Sequence, residues 1–527
     1  MNSGGSTLNN SPNNQGENVD VSNNENIDLK LRPQDINLSF DLEKNIAYLK
    51  RIFCYPLNKD FSIREVYIKA VDRKGILLFL QGITDVKSLE NQILKPLMQE
   101  TINPKSRTDI ITDLRDKILT EKGVNKTTNI KNLVKEIVNG NTVLFIQGVN
   151  TALVLSKAGY ENSSIEKPTN ENTLKGPKEA FVESEQTNRS LIRKYLRDEK
   201  LITESMDIAG KGSEIVYIMY IADLVNQDIL ENVKNRIKQI KVDKIQALSI
   251  LEQHIEDRPY SLVPTTLLTE RPDRVSAFLS EGHIALLMDG SPGVLIVPIT
   301  FWSLFHSPDD QYQKWAYGNF IRIIRIISCL IALLTPGLFI AVTSYHVDMI
   351  PTDLVLAIAA SREKLPFPAI MEVLTMELSF ELLREAGVRI PTPIGPTIGI
   401  VGALILGQAA VEANIVSPIL VIVVAVTGLA SFAIPENSLN FMVRIGRFIF
   451  LIAGAMMGFF SIAILFTITI AYLSTVKSFG VYFMSPLAPI YKSSKDLVFR
   501  PPVWKQWIRP LNIRPQQQTR KEKPRER

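Results

Sequence analysis

The sequence predicts an α/β cytoplasmic region of two related subdomains, followed by an all-α polytopic membrane domain of about four transmembrane helices plus amphipathic helices. Three observations predict it. The long apolar runs are confined to the second half of the 527 residues. Two apolar segments of the first half align with each other without a gap. The N-terminus, MNSGGSTLNNSPNNQGENVD, has neither a basic n-region nor an apolar h-region, so the soluble half is expected to stay where it is made.

Residues 1–35 are Asn-, Ser- and Gly-rich and nearly devoid of aromatics, so they read as a disordered leader that buries too little surface to offset its ordering entropy. From Phe61 the pattern turns to strands and amphipathic helices, and the subdomains are expected over 36–160 and 180–305. Asn141 to Leu155 (NTVLFIQGVNTALVL) aligns with His283 to Val297 (HIALLMDGSPGVLIV), matching Leu144 with Leu286, Gly148 with Gly290 and Leu153 with Leu295. Each reads as a hairpin. A looser echo joins the stretch from Ile76 to that from Ile215, each a strand followed by a helix. His283 to Phe305 is apolar enough to resemble a span, but Asp289-Gly290-Ser291-Pro292 breaks a helix in mid-segment.

The membrane domain is expected over 319–475. Asn319–His346, Ile394–Ala413, Ile415–Ile434 and Phe448–Leu473 each supply the roughly 20 apolar residues that cross a bilayer. Between the first two, Pro368 to Ala386 has helical periodicity, with Glu372, Glu377, Glu381, Arg384 and Glu385 interrupting an apolar pattern. It reads as an amphipathic interfacial helix whose acids form a solvated face or a charged vestibule. Arg322, Arg325 and the basic tail 476–527 place both termini in the cytoplasm. Arg444 and Arg447 disagree, because four spans put them near the outer face. The net charge of +5 suits anionic lipid headgroups better than nucleic acid.

Pro391 to Glu412 (PTPIGPTIGIVGALILGQAAVE) is the candidate pore helix. At about 100° per residue, Thr397, Val401, Leu404, Gln408 and Glu412 share a stripe, while Gly395, Gly399 and Gly402 gather opposite. Small residues let helices approach, and polar intramembrane residues face a cavity. In a ring of subunits Gln408 and Glu412 form polar rings favouring cations, and Val401 and Leu404 an apolar constriction. The alternative is a lipid-buried bundle helix with a polar end.

No catalytic constellation is present. GxGxxG, Walker A, HExxH and GxSxG are all missing, and the four histidines are scattered. Ala209 to Ser213 (AGKGS) lacks phosphate-loop spacing and reads as a turn. Two distant thiols, Cys54 and Cys329, give neither a disulfide framework nor a zinc site. No enzyme, cofactor or metal is expected.

The chain resembles the A subunit of the GerA-type spore germination receptors. The resemblance rests on GPKEAFVESEQTNRSLIRKYL (Gly176 to Leu196), the stretch from Leu268 to Pro298, FWSLFHSPDDQY (Phe301 to Tyr312), the stretch from Met349 to Pro418, and SFGVYFMSPLAP (Ser478 to Pro489). Lys178 and Ala180 depart from the Arg and Gly usual in the first motif. The resemblance implies a non-enzymatic subunit of a three-component receptor in the spore inner membrane. Its partners would be a transporter-like, nutrient-binding B subunit and a lipoprotein C subunit. It implies a homo-oligomer, a pentamer, forming a nutrient-gated cation channel. Rivals from other classes are a non-conducting scaffold that transmits signal, and a secondary transporter, which the lack of an inverted repeat disfavours.

Overall fold

The structure is a computed structural model and describes residues 32–100, 110–119, 123–159, 168–169, 171–208, 214–389, 405, 407–491 and 497–522. The first lobe runs α1 (Leu42–Ile52), β1 (Phe61–Ile68), β2 (Arg73–Leu80), α2 (Val86–Leu89), α3 (Lys95–Gln99), α4 (Ile110–Asp113), β3 (Val124–Thr127), α5 (Ile130–Val138), β4 (Thr142–Ile146) and β5 (Ala152–Leu155). The second repeats the pattern as α6 (Glu185–Tyr195), β6 (Leu201–Asp207), β7 (Ile215–Ile221), α7 (Gln227–Gln239), α8 (Leu248–Ile255), β8 (Leu267–Thr269), α9 (Pro272–Leu279), β9 (Ile284–Met288) and β10 (Val294–Val297).

Their sheets have the same order, β1-β2-β4-β5-β3 and β6-β7-β9-β10-β8, with antiparallel neighbours. The order follows from the hairpins, since β4 and β9 lie centrally, buried along their whole length, and read as unbroken apolar runs. Leu144 faces Leu153 and Leu286 faces Leu295, so the aligned leucines occupy one register. Gly148 and Gly290 turn the hairpins at φ of 75° and 74°, in the left-handed region where only glycine is unstrained. Helices cover both faces of each sheet, α1 and α5 one face of the first and α2 to α4 the other. Asp41, Asn129, Ser184 and Asn226 cap α1, α5, α6 and α7 with side-chain oxygens.

The looser echo is out of register. Leu77 pairs with Leu144 and Ile218 with Leu286, so Ile218 is the equivalent of Leu77, two residues beyond the match that starts at Ile76 and Ile215. An even slip leaves the alternation of faces intact, which is why the pattern alone does not detect it.

Beyond the lobes, α10 (Asp309–Tyr312) leads into α11 (Trp315–Tyr345), then α12 (Thr352–Arg362), α13 (Ala369–Arg389), α14 (Pro418–Phe432), α15 (Asn437–Met457) and α16 (Phe459–Thr475). At 1.5 Å per residue the 31 residues of α11 reach about 46 Å. Among the described residues, α11 and α15 are the two helices long and apolar enough to cross a membrane, with hydropathies of 2.3 and 1.5. They cross at Gly337 and Gly454, where a Cβ on Gly454 would lie 2.5 Å from the Gly337 carbonyl oxygen. Helix backbones meet so closely only at glycine.

Several expectations change here. The apolar run Phe448–Leu473 is not one span, because Gly458, at φ 63° and ψ −136°, reverses the chain between α15 and α16. Two antiparallel helices share one run, and composition does not register the reversal. The basic tail is also folded. Ser478 accepts from Ile299 N and donates to Thr265 O, Gln516 N donates to Leu224 O, and Arg509 donates to Ser280 O, so the described tail is folded onto the second lobe.

Lobe and bundle share a core. Leu287 and Ile296 of the second sheet cluster with Cys329 and Ala332 of α11, Ala430 of α14, Leu439 and Val443 of α15 and Leu473 of α16. These contacts mark the lobe-proximal ends of α14, α15 and α16, and on α11 they reach the middle of the helix. At the distal end Tyr345 donates to the Ala455 carbonyl oxygen at 2.6 Å.

Candidate functional site: charges buried in the helical bundle

Helix α13 is polar inside and apolar outside. Glu372, Val373, Met376 and Glu377 are buried, whereas Met371, Leu378 and Leu382 are 48%, 57% and 63% exposed. Expected as an interfacial helix with its acids in water, it instead turns three of its four glutamates inward, and Glu385 alone is exposed. The periodicity was legible in the sequence, but a helical stripe of acids does not itself say which side the solvent occupies.

Each inward charge has an assigned neighbour. Glu372 accepts from Ser417 N at 3.2 Å, placing a carboxylate at the positive end of α14, and lies 3.5 Å from Arg362 of α12. Glu377 lies 3.0 Å from Arg447 as an ion pair, yet neither of its oxygens has a hydrogen-bond partner. The charges are close but misaligned for donation. Glu381 receives Arg447 at 2.5 Å and the Arg444 Nε at 2.9 Å. Arg384 donates to Ser431 Oγ of α14 at 2.6 Å, its guanidinium lying 4.7 Å from the Phe432 ring centroid.

Three guanidiniums and two carboxylates thus meet between α13, α14 and α15. The cluster ties α13 to both neighbours, and removing one partner from such a group strands the others in an apolar setting. Sequence reasoning missed Arg444 and Arg447 as site residues because it placed them opposite the lobes. They sit in the lobe-proximal half of α15, whose first residue follows Glu436 of the lobe junction.

The geometry also changes the topology. Glu372 lies beside Ser417 at the distal start of α14, and Arg384 beside Ser431 near its proximal end. Helix α13 therefore returns toward the lobes. The helical residues 407–412 lead into the distal turn before Ser417, so Glu412 is distal.

Of the predicted pore stripe, Gln408 and Glu412 are exposed on one face, and Gln408 donates to Glu412 at 2.9 Å. On the other side Ala410 and Val411 pack against Val416 and Leu420, and Gly407 is buried near Val421. Thr397, Val401, Leu404, Gly395, Gly399 and Gly402 lie outside the described residues, as does the turn Ala209 to Ser213. Among the described residues no group of three or more His, Cys, Asp or Glu could hold a metal ion.

Two further clusters join the bundle to the lobes. Arg274 of α9 reaches Glu171 at 3.3 Å and Glu436 at 3.5 Å. Burial pushes the Glu436 carboxyl up to about 7, against the pull of Arg274. Asp310 accepts from Arg322 at 2.9 Å and Arg325 at 2.8 Å, so the arginines expected to orient α11 also pin its base. Between the lobes, Asp60 is fully buried against Arg189 and Arg193, with Thr203 donating at 2.7 Å. Burial favours the neutral acid there, but Arg193 and Arg189 prevail and hold Asp60 below the usual carboxylate range. The GPKEAFVESEQTNRSLIRKYL motif supplies both arginines, whereas Lys178 is exposed and Ala180 buried.

The family described as Bacillus/Clostridium GerA spore germination protein matches residues 47–512. Spore germination protein KA of Bacillus subtilis (strain 168) is 39% identical over 496 residues, covering 94% of this chain and 90% of that protein. Spore germination protein A1 of the same strain is 40% identical over 427 residues, covering 81% and 87%. A crystal structure of the N-terminal domain of the A subunit of the Bacillus megaterium spore germinant receptor GerK3 covers 51% of this chain and 98% of its own, at 27% identity and a TM-score of 0.41. The chain belongs to the GerA family of spore germination proteins, among the A subunits of germination receptors.

Proposed function

We propose that this chain is the A subunit of a nutrient-responsive germination receptor in the spore inner membrane, and that copies of it assemble, as a pentamer, around residues 394–412 into a nutrient-gated cation channel. The observation that carries the membrane reading is the inverted polarity of α13, with acids inside and leucines outside, a pattern stable only where the surroundings are apolar. Exposed Ile422, Leu429 and Phe432 of α14 and Phe460, Ile464 and Ile468 of α16 continue that apolar surface. Six crossings replace four in this reading: α11, α13, the segment from 390 to 412, α14, α15 and α16. Both termini stay on the lobe side, in the cytoplasm, and Arg444 and Arg447 then obey the positive-inside tendency.

The nutrient-binding B subunit and the lipoprotein C subunit are the partners in this reading. Regions 36–160 and 180–305 are the cytoplasmic subdomains. Val401 and Leu404 are the constriction, with Thr397 above it and Gln408 and Glu412 forming the distal polar mouth. A second reading, a non-conducting subunit that transmits signal, draws on the commitment of Glu372, Glu377 and Glu381 to partners inside the bundle instead of a vestibule. Single-channel recording from the purified chain in planar bilayers separates the two. Cation-selective openings that Glu412→Gln makes less selective, and that Val401→Ala or Leu404→Ala makes constitutive, are expected. Silent bilayers containing correctly oligomerised protein would leave the scaffold reading.

A further inference from the structure

Between α8 and β8 the chain makes a tight turn with an apolar tip. Ser261 N donates to the Arg258 carbonyl oxygen at 2.9 Å, closing a β-turn with Pro259 at its second position, where the fixed φ of proline suits the backbone. Tyr260, the next residue, is fully exposed, and Leu262 is 48% exposed. A loose loop would fold such side chains away, but this one is held at both ends. Asp257 accepts from Arg236 and from Phe479 N, the latter at 3.0 Å, and Val263 is buried in the core that lobe and bundle share. The outward display of Tyr260 is therefore built into the fold.

The turn stands against α16. Ser261 Oγ accepts from the Tyr472 hydroxyl at 2.8 Å, and the Arg258 guanidinium lies 5.5 Å from the centroid of the Tyr472 ring. Tyr472 belongs to the last turn of α16, next to Leu473, whose contacts mark the lobe-proximal end of that helix. At 1.5 Å per residue the 17 residues of α16 reach about 25 Å, less than the roughly 30 Å of a bilayer's hydrocarbon core. A crossing helix that short has no length to spare, so its last turn lies at the boundary between membrane and water, and Ser261 is fixed at the same depth. Tyrosine favours that boundary, because its ring is apolar and its hydroxyl is polar. Arg258 adds the sign of charge that lipid phosphate attracts.

We infer that the turn 258–262 anchors the second lobe to the bilayer, with Tyr260 and Leu262 inserted among the lipid headgroups of the cytoplasmic leaflet beside α16. The inference rests on the membrane reading of the bundle and adds a lobe segment seated in the lipid. The occupant is the bilayer because the turn is hydrogen-bonded to the helix whose exposed Ile464 and Ile468 face lipid in that reading.

Spin labelling of the full chain in nanodiscs of phosphatidylcholine and phosphatidylglycerol tests the inference. Cys54 and Cys329 are both buried, so Tyr260→Cys supplies the accessible thiol. Its label should collide more often with oxygen, which concentrates in the bilayer, than with a nickel chelate confined to water. Ile468→Cys, on the outer face of α16, should show the same ordering more strongly. A label at position 260 that meets the chelate more often than oxygen, while the label at 468 stays dominated by oxygen, overturns the anchor and leaves the membrane reading standing. A label at 468 that also meets mainly the chelate overturns both. A label at 260 shielded from both reagents means that a second copy of the chain covers the turn, which overturns the lipid assignment. Leu262→Cys reads the same depth from the other side of Ser261 and serves as the test if the Tyr260 variant folds poorly.

Discussion

The lobes and the helical bundle bury charge in opposite contexts. In the lobes Asp60 lies within an α/β fold, and its oxygens are satisfied by two arginines and a threonine. In the bundle Glu377 pairs with Arg447 across 3.0 Å while its oxygens receive no hydrogen bond. Asp60 is hydrogen-bonded into place, whereas Glu377, unlike its neighbour Glu381, is held by Coulomb attraction without a hydrogen bond. The difference shows that charge burial reports on how completely a site is built, and that the direction of the apolar face reports on the solvent.

The largest effect that would break this comparison comes from the lobe. Asp60→Leu leaves Arg189 and Arg193 buried without their shared acceptor and should cost about 3–5 kcal/mol, measured by denaturant melts. Glu381→Leu should come next, at about 3 kcal/mol in detergent melts, because Arg444 and Arg447 both depend on it. Glu377→Met should cost less, about 1–2 kcal/mol, since Arg447 stays buried but keeps Glu381 as its counter-charge and the side chain lost makes no hydrogen bond. Equal losses at Asp60 and Glu377 would erase the distinction between the two regions.

Gly290→Ala probes the repeat. A Cβ there meets nothing within 4 Å, so the cost of about 1 kcal/mol comes from the left-handed backbone alone. A further effect is a slope with pH. Glu436 titrates at about 7 in the folded chain, above its ordinary 4.5, so folding favours the protonated form. Its contribution is complete below about 4.5 and is lost as pH rises through about 7. His283, lowered from 6.5 to about 4, acts in the opposite sense, its contribution being lost as pH falls through that window. Between about 4.5 and 6.5 the two slopes oppose each other, so Glu436→Gln should unmask the loss due to His283: the melting temperature should fall as pH drops from about 6.5 to about 4 and stay level from about 6.5 to about 7.5.

The hairpins were legible because glycine turns and apolar strands are local signals, and the aligned leucines occupy equivalent register positions in both sheets. The two-residue slip at Ile218 was not legible, because period-two alternation is blind to even shifts. Helix α13 was found as a helix and assigned to the wrong surroundings. Its partners, Arg444 and Arg447, lie more than sixty positions away, and one apolar run conceals the reversal at Gly458. The four-span expectation followed in part from reading that run as one helix, where Gly458 divides it into two.

The core that runs without interruption from Leu287 of the second sheet to Leu439 and Val443 of α15 has a consequence for cooperativity. Two bodies that share apolar neighbours do not melt or exchange separately. Amides of β9 and of the first turns of α15 should open in a single unit under hydrogen exchange, with the first lobe as a separate one. A stimulus that loosens the second lobe would then reach the proximal turns of the bundle as lost protection, with no hinge between them to absorb it.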